Sequence, residues 1–172
     1  MTTRVGEERR LTGERPIEDV TPDSLLALHA AGYREVVARL GPGRLLDVGC
    51  GEGFESVRMG APDRPVVGVD YDQGAAVRAA AAGRTGPVHM AVTRADARRL
   101  GLATGSFRWA CSSHLIEHFA DPESHVAEVA RVLDARGTAF FVTPNAPADF
   151  ENPFHIRLFR ADELAELLER SF

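Results

Sequence analysis

The run Leu45-Leu46-Asp47-Val48-Gly49-Cys50-Gly51-Glu52-Gly53-Phe54 restricts the fold more than any other part of the chain. A short apolar strand pattern breaks into three glycines at alternate positions, and a helical pattern, Phe54 to Met59, follows. Glycines at a strand-to-helix turn let the backbone approach a ligand closely. Around this turn, short apolar runs alternate with helical patterns. Strands are expected over Arg44–Val48, Pro65–Val69, Val88–Val92, Phe107–Ser112 and Thr138–Thr143. Helices are expected from Thr21-Pro22-Asp23 to Leu40, then over Phe54–Met59, Gln73–Ala82, Pro122–Leu133 and Ala161–Ser171. Such alternation builds βαβ units: an α/β, Rossmann-like domain, a mostly parallel sheet with helices on both faces. In these sheets a ligand sits beyond the carboxyl ends of the strands, where the strand order reverses.

The rest of the chain is consistent with one such domain. It has 172 residues, 44% hydrophobic, enough for a single core. A formal net charge of -5 and the lack of a basic patch disfavour nucleic acid as the main partner. No apolar run approaches the roughly 18 residues of a membrane span. The polar start, Met1 to Asp23, is not a signal peptide. Cys50 and Cys111 read as buried thiols of a reducing compartment, so a cytoplasmic location is expected.

Two details of the glycine loop bear on its ligand. The spacing is Gly-x-Gly-x-Gly, where dinucleotide enzymes use Gly-x-Gly-x-x-Gly. Asp47 ends the strand and Glu52 lies in the loop, so a pyrophosphate there would meet carboxylates. The sulfonium and ammonium of S-adenosylmethionine (SAM) suit anionic surroundings. Gly49, Cys50, Gly51 and Gly53 would form the cradle, with Asp47 beside it, although Asp47 also fits a purely structural hydrogen-bonding role. The second strand ends Gly68-Val69-Asp70-Tyr71-Asp72. An acid about 20 residues beyond the loop is placed to bind ribose hydroxyls, which selects Asp70. Tyr71 could cover adenine or belong to the core, and Asp72 could cap the next helix.

These residues, with Leu115-Ile116-Glu117-His118 further on, resemble the class I SAM-dependent methyltransferases, of the group with an Asp-Val-Gly-Cys-Gly-x-Gly loop and an Ile-Glu-His signature. The resemblance runs from about Gly43 to the C-terminus. It implies an enzyme that uses SAM and releases S-adenosylhomocysteine, with a small-molecule methyl acceptor as partner. A hydroxyl of a sugar, a lipid-linked or a secondary-metabolite substrate is the implied acceptor. The loop would hold the methionyl part of SAM and Asp70 the ribose. Asp96 would take the exocyclic amine of adenine, and the Ala97 N–H a ring nitrogen. Arg108 departs from the pattern, which usually has Asp there, but at the start of a strand, away from the ligand. A SAM-binding module without catalysis, or an NAD-dependent oxidoreductase, are the competing classes.

At the reaction end, Ser112, Ser113 and His114 follow the fourth strand. Methyl transfer needs alignment of acceptor, methyl and sulfur, and a hydroxyl acceptor also needs a base. His114, His118 and His155 are the candidates. His114 is nearest the strand end. Glu117-His118 is shared by relatives with unrelated acceptors, which favours a structural or cofactor-proximal role. His155, in Asn152-Pro153-Phe154-His155, lies in a connection of the kind that lines acceptor pockets. No metal is expected, because no two ligands have the close spacing of a zinc or iron site.

Residues 1–20 form a polar segment, in which Leu11 to Pro16 resembles a Gly-Glu-Arg stretch that could close over the cofactor or remain a solvated tail. Residues 21–172 form the SAM-binding domain. The family's sheet has seven strands, ending in an antiparallel hairpin, and only five are counted. The hairpin is therefore expected to be missing, leaving the Thr138–Thr143 strand as an apolar edge. Either a C-terminal tail or a second subunit, in a homodimer, would cover it; the tail is favoured.

Overall fold

The computed structural model describes residues 16–17, 20–86, 88–146 and 152–172. The Gly-Glu-Arg segment and residues 147–151 lie outside them, apart from Pro16. Thr21 does not cap the first helix. Its hydroxyl accepts the Ile17 N–H at 2.7 Å, and the helix, α1, runs Asp23–Val37 after Pro22. There follow β1 (Leu45–Val48), α2 (Phe54–Met59), β2 (Val66–Asp70), α3 (Gln73–Thr85), β3 (Met90–Arg94) and β4 (Phe107–Ser113). A 3-10 turn (Ile116–His118), α4 (Pro122–Val132), β5 (Leu133–Val142) and α5 (Ala161–Glu169) complete the chain.

The strands form one sheet in the order β3-β2-β1-β4-β5, every neighbouring pair parallel. The α/β expectation stands, with an all-parallel sheet where a mostly parallel one was expected. Among the described residues the sheet ends at β5 with no antiparallel hairpin. No described helix is long and apolar enough to cross a membrane.

Period-2 alternation splits the core in two. On one face Leu45, Val66, Met90 and Cys111 pack with Tyr33 and Val36 of α1, Val57 and Met59 of α2, and Ala79 of α3. On the other, Leu46, Val48, Val69, Phe107 and Ala110 pack with Val129 and Val132 of α4. Leu167 of α5 joins Ile116, Val126 and Phe159 on that side. Both cysteines are buried and unpaired with each other.

Two strands differ from expectation. β3 starts at Met90, not Val88, because register with β2 places Met90 opposite Val66, while Val88 packs beside Gly60. β5 begins at Leu133, immediately after α4. Leu133 pairs with Phe107, but pairing resumes only at Thr138 opposite Trp109. Between them the Arg136 N–H bonds the Asp134 carboxylate and the chain folds tightly at Gly137. Regular pairing thus starts at the expected Thr138.

The order reverses between β1 and β4, so the carboxyl ends of these two central strands flank the expected ligand site.

Candidate active site

A cleft of about 670 Å³ opens at that place. Its floor is the glycine loop after β1. Gly49, Gly51 and Gly53 have φ of 78°, 55° and 83°, a region L side chains rarely adopt. The space differs among them. A Cβ on Gly51 would meet no atom within 4 Å, whereas one on Gly53 would lie 3.0 Å from the Ala79 backbone. Gly51 therefore faces open space, and Gly53 allows α3 to approach the loop.

Asp70 ties the loop to β2. One carboxylate oxygen accepts the Gly51 N–H at 2.9 Å, and the other accepts the Asp72 N–H at 2.8 Å. Asp72 caps α3 through the Ala75 N–H. Tyr71 lines the cleft with 70% of its surface exposed, so it is not core, and the Arg94 guanidinium lies over its ring. Asp96 and Ala97 line the cleft as expected. Both Asp96 oxygens face Arg98, at 3.0 and 2.7 Å, and these hydrogen bonds hold its carboxyl below the usual range. Cys50 also lines the cleft, its sulfur packed against Gly68.

Three predicted site residues do not line the cleft: Asp47, Ser112 and, at the far end, His155. Asp47 is fully buried on the α1–α2 face, where the Ser56 hydroxyl donates to it. Burial, opposed by that hydrogen bond and reinforced by the Asp70 charge, raises its pKa to about 7. Ser112 points to the opposite face of the sheet and hydrogen-bonds Nε2 of buried His125 at 2.9 Å. Successive strand residues face opposite ways, so only one of Ser112 and Ser113 could enter the cleft. Ser113 does, and its buried hydroxyl has no hydrogen-bond partner among the described residues. Glu52 also changes meaning: its carboxylate bonds Arg78 at 2.6 Å, so it adds less negative charge to the loop than the sequence suggests.

At the other end, His114 and His118 line the cleft. His114 has φ of 51°, the sole positive value among the described non-glycine residues, and its N–H bonds the Val142 carbonyl at 2.7 Å. Its Nδ1 stands 3.6 Å from Oε1 of Glu117, a charge contact longer than a hydrogen bond. The other Glu117 oxygen accepts the Thr143 hydroxyl at 2.9 Å. Burial pushes the Glu117 carboxyl up, but His114, backbone and Thr143 interactions outweigh it and the net shift is downward. The His155 ring does not line the cleft, although Pro153, Phe154 and Ile156 beside it do. It meets the His118 ring edge-on at 5.2 Å.

Sequence reasoning missed two histidines. His29 of α1 lines the cleft, its ring 4.0 Å from that of His114. Burial, then the His114 charge, lowers its pKa to about 4. Its signal was its place on the Leu25–His29–Tyr33 stripe of an amphipathic helix. His125 of α4 lies on the inner stripe with Val129 and Val132. It links Ser112 to the Ala97 carbonyl, with Nδ1 3.2 Å from that oxygen, beneath the adenine side of the cleft.

A family profile described as "Methyltransferase domain" matches residues 46–141, which span β1 to β5. The chain is similar to a probable S-adenosylmethionine-dependent methyltransferase of Mycobacterium tuberculosis, 33% identical over 165 residues, covering 92% of this chain and 59% of the relative. It is similar to a ubiquinone biosynthesis O-methyltransferase of Hahella chejuensis, 30% identical over 132 residues, covering 76% of this chain and 53% of the relative. Among solved structures, the YcgJ protein of Bacillus subtilis superposes with a TM-score of 0.72 at 22% identity, covering 83% of this chain and 68% of that one. The chain thus spans little more than half the length of the curated relatives it matches.

Proposed function

The chain belongs to the methyltransferase domain family, and from that premise we propose that it binds SAM and methylates a hydroxyl of a small sugar, lipid-linked or secondary-metabolite acceptor. The observation that carries this reading is the joint between loop and acid. Asp70 fixes the Gly51 N–H and faces the same cleft as the open side of Gly51. A nucleoside bound through Asp70 would bring its 5′ substituent over the loop. The cleft suits a cationic ligand: Asp70 adds a carboxylate, and Arg98, which also lines it, is paired with Asp96 so that the two add no net charge.

Bound SAM supplies an electrophilic methyl: the acceptor oxygen bonds to its carbon as the carbon–sulfur bond breaks, and the electron pair stays on sulfur as S-adenosylhomocysteine. The chain's residues have three tasks. Asp70, Asp96 and the Ala97 N–H hold the nucleoside. Ser113 offers the cleft a hydroxyl that has no partner among the described residues. His114 takes the acceptor proton. Glu117 beside Nδ1 favours the tautomer protonated there, which leaves Nε2 as the proton acceptor. His29, held neutral by burial, packs against that ring and orients it. The O-methyltransferase name of the Hahella chejuensis relative agrees with a hydroxyl acceptor. Pro16 lines the cleft.

Calorimetry with SAM, S-adenosylhomocysteine and NAD tests the premise. Both sulfur ligands should bind and NAD should not. Asp70→Ala removes two hydrogen bonds to a charged group, about 3 kcal/mol together, so SAM affinity should fall by about 100-fold. A folded chain that prefers NAD, or an Asp70→Ala protein that binds SAM as tightly as the parent, overturns the reading.

A further inference from the structure

We infer that Glu117, His118 and His155 form a site for a divalent transition-metal ion at the acceptor end of the cleft. The proposal deepens the methyl-transfer reading and rests on it for the role of the ion, but not for the existence of the site.

The three residues each bring a ligand atom into one small volume, the atoms all within 4.8 Å of one another. Two imidazoles and a carboxylate are a donor set that suits zinc and its first-row neighbours. Metal–ligand bonds of about 2.0–2.2 Å require closer approach, which side-chain rotation in the half-buried histidines supplies.

Three further observations point to a cation. Glu117 is 0% exposed, and among the described residues its Oε1 has no hydrogen bond of normal length, only His114 Nδ1 at 3.6 Å, while Oε2 holds Thr143. A buried carboxylate oxygen without a close donor is costly, and an ion there would offset that cost. His118 is also prepared for ligation. The Phe154 carbonyl lies 2.9 Å from its Nδ1, so Nδ1 carries the proton and Nε2 presents a lone pair. Metal-bound imidazoles usually donate their other N–H in this way. Lastly, His155 is held in place. The Ile156 and Arg157 N–H groups both bond to the Glu117 carbonyl, at 2.9 and 3.0 Å. Asn152 closes the turn by accepting the Phe154 N–H, and its amide donates to His155 Nε2 at 3.0 Å, a hydrogen bond that an ion bound at that nitrogen would replace.

His118 opens on the cleft, so an ion at this site would be reached by an acceptor oxygen. A Lewis acid there lowers the pKa of a bound hydroxyl and orients it. The acceptor proton passes to His114 in the same step. The sequence concealed the site because His155 lies 37 residues beyond His118, far from the close pair spacing of common zinc motifs.

The full chain, stripped with a chelator, should be titrated with Co²⁺ by visible absorption and with Zn²⁺ by calorimetry, and SAM affinity measured on the same samples. One ion per chain is expected. Glu117→Gln, His118→Ala and His155→Ala should each weaken it by about 10-fold or more, while His89→Ala, at an exposed histidine elsewhere, should not. His155→Ala should keep SAM affinity within about two-fold, which shows an intact fold. Equal ion affinity in His155→Ala and the parent, or absence of ion binding to a parent that binds SAM, overturns the site. Ion binding to a parent that does not bind SAM leaves the site standing and removes the methyltransferase reading instead.

Discussion

The two ends of the cleft are built by different means. The SAM end is made largely by backbone: three glycines with positive φ, one aspartate that fastens them and the Ala97 peptide. The acceptor end is made by side chains from α1, the segment after β4 and the 3-10 turn, His29, His114 and His118, with Glu117 and His155 packed beside them. A backbone cradle holds an invariant ligand through geometry that few sequences satisfy. A side-chain cluster can be altered one residue at a time without loss of the cradle. On the proposed reading, the molecule separates what it binds from what it acts on.

The sharpest way to break this division is His114→Ala. Loss of a general base should lower kcat by about 10²- to 10⁴-fold, while SAM affinity stays within about two-fold. Because His114 has positive φ, where Asn is tolerated better than Ala, His114→Asn serves as the folding control and should be equally slow. A parallel loss of SAM affinity in both variants would show that the two ends are not independent.

A second prediction concerns stability. The folded pKa of Asp47, about 7, lies well above the 3.8 of a free aspartate side chain. The native state therefore binds more protons between about pH 4 and 7, and its stability falls as pH rises through that window. His125 shows the reverse. Burial lowers its pKa from 6.5 to about 4, so its contribution is lost as pH falls from 6.5 towards 4. His29, lowered to about 4 in the same way, adds to the His125 slope, and Asp47 opposes both over most of that range. Asp47→Asn removes the opposing slope, so between pH 6.5 and 4 the variant should lose on the order of 3 kcal/mol more than the parent, read from urea midpoints. Parallel curves for variant and parent would refute the Asp47 assignment.

The smallest expected effect is at Tyr71, which is mostly exposed and already stacked on Arg94. Tyr71→Ala should weaken SAM by less than about 10-fold, a contact of roughly 1 kcal/mol. A larger loss would mean that this side chain, and not the backbone cradle, dominates adenine binding.

The same contrast explains what could be read from the sequence. Glycine spacing and the acid at the end of β2 are legible because positive φ and the loop–strand joint restrict residue choice locally. Which neighbour of a pair faces the ligand was not legible at β4, since parity is set by pairing with β1, where Val48 lies opposite Ser112. Asp47 looked like a ligand-binding acid because strand ends usually open to solvent, but α1 and α2 cover it with Tyr33 and Ser56. His29 and His155 were hard to weigh because their meaning depends on contacts between distant segments.

The placing of Ser112 and Ser113 on opposite faces also limits how such a chain can change over generations. One serine serves the buried His125 and the next serves the cleft. A single insertion or deletion within β4 would exchange them, sending the buried bond to the solvent side and an apolar neighbour into the pocket. Divergence in this strand must therefore proceed by substitution at constant length. The connections beyond it carry no such parity and are free to lengthen or shorten as new acceptors are acquired.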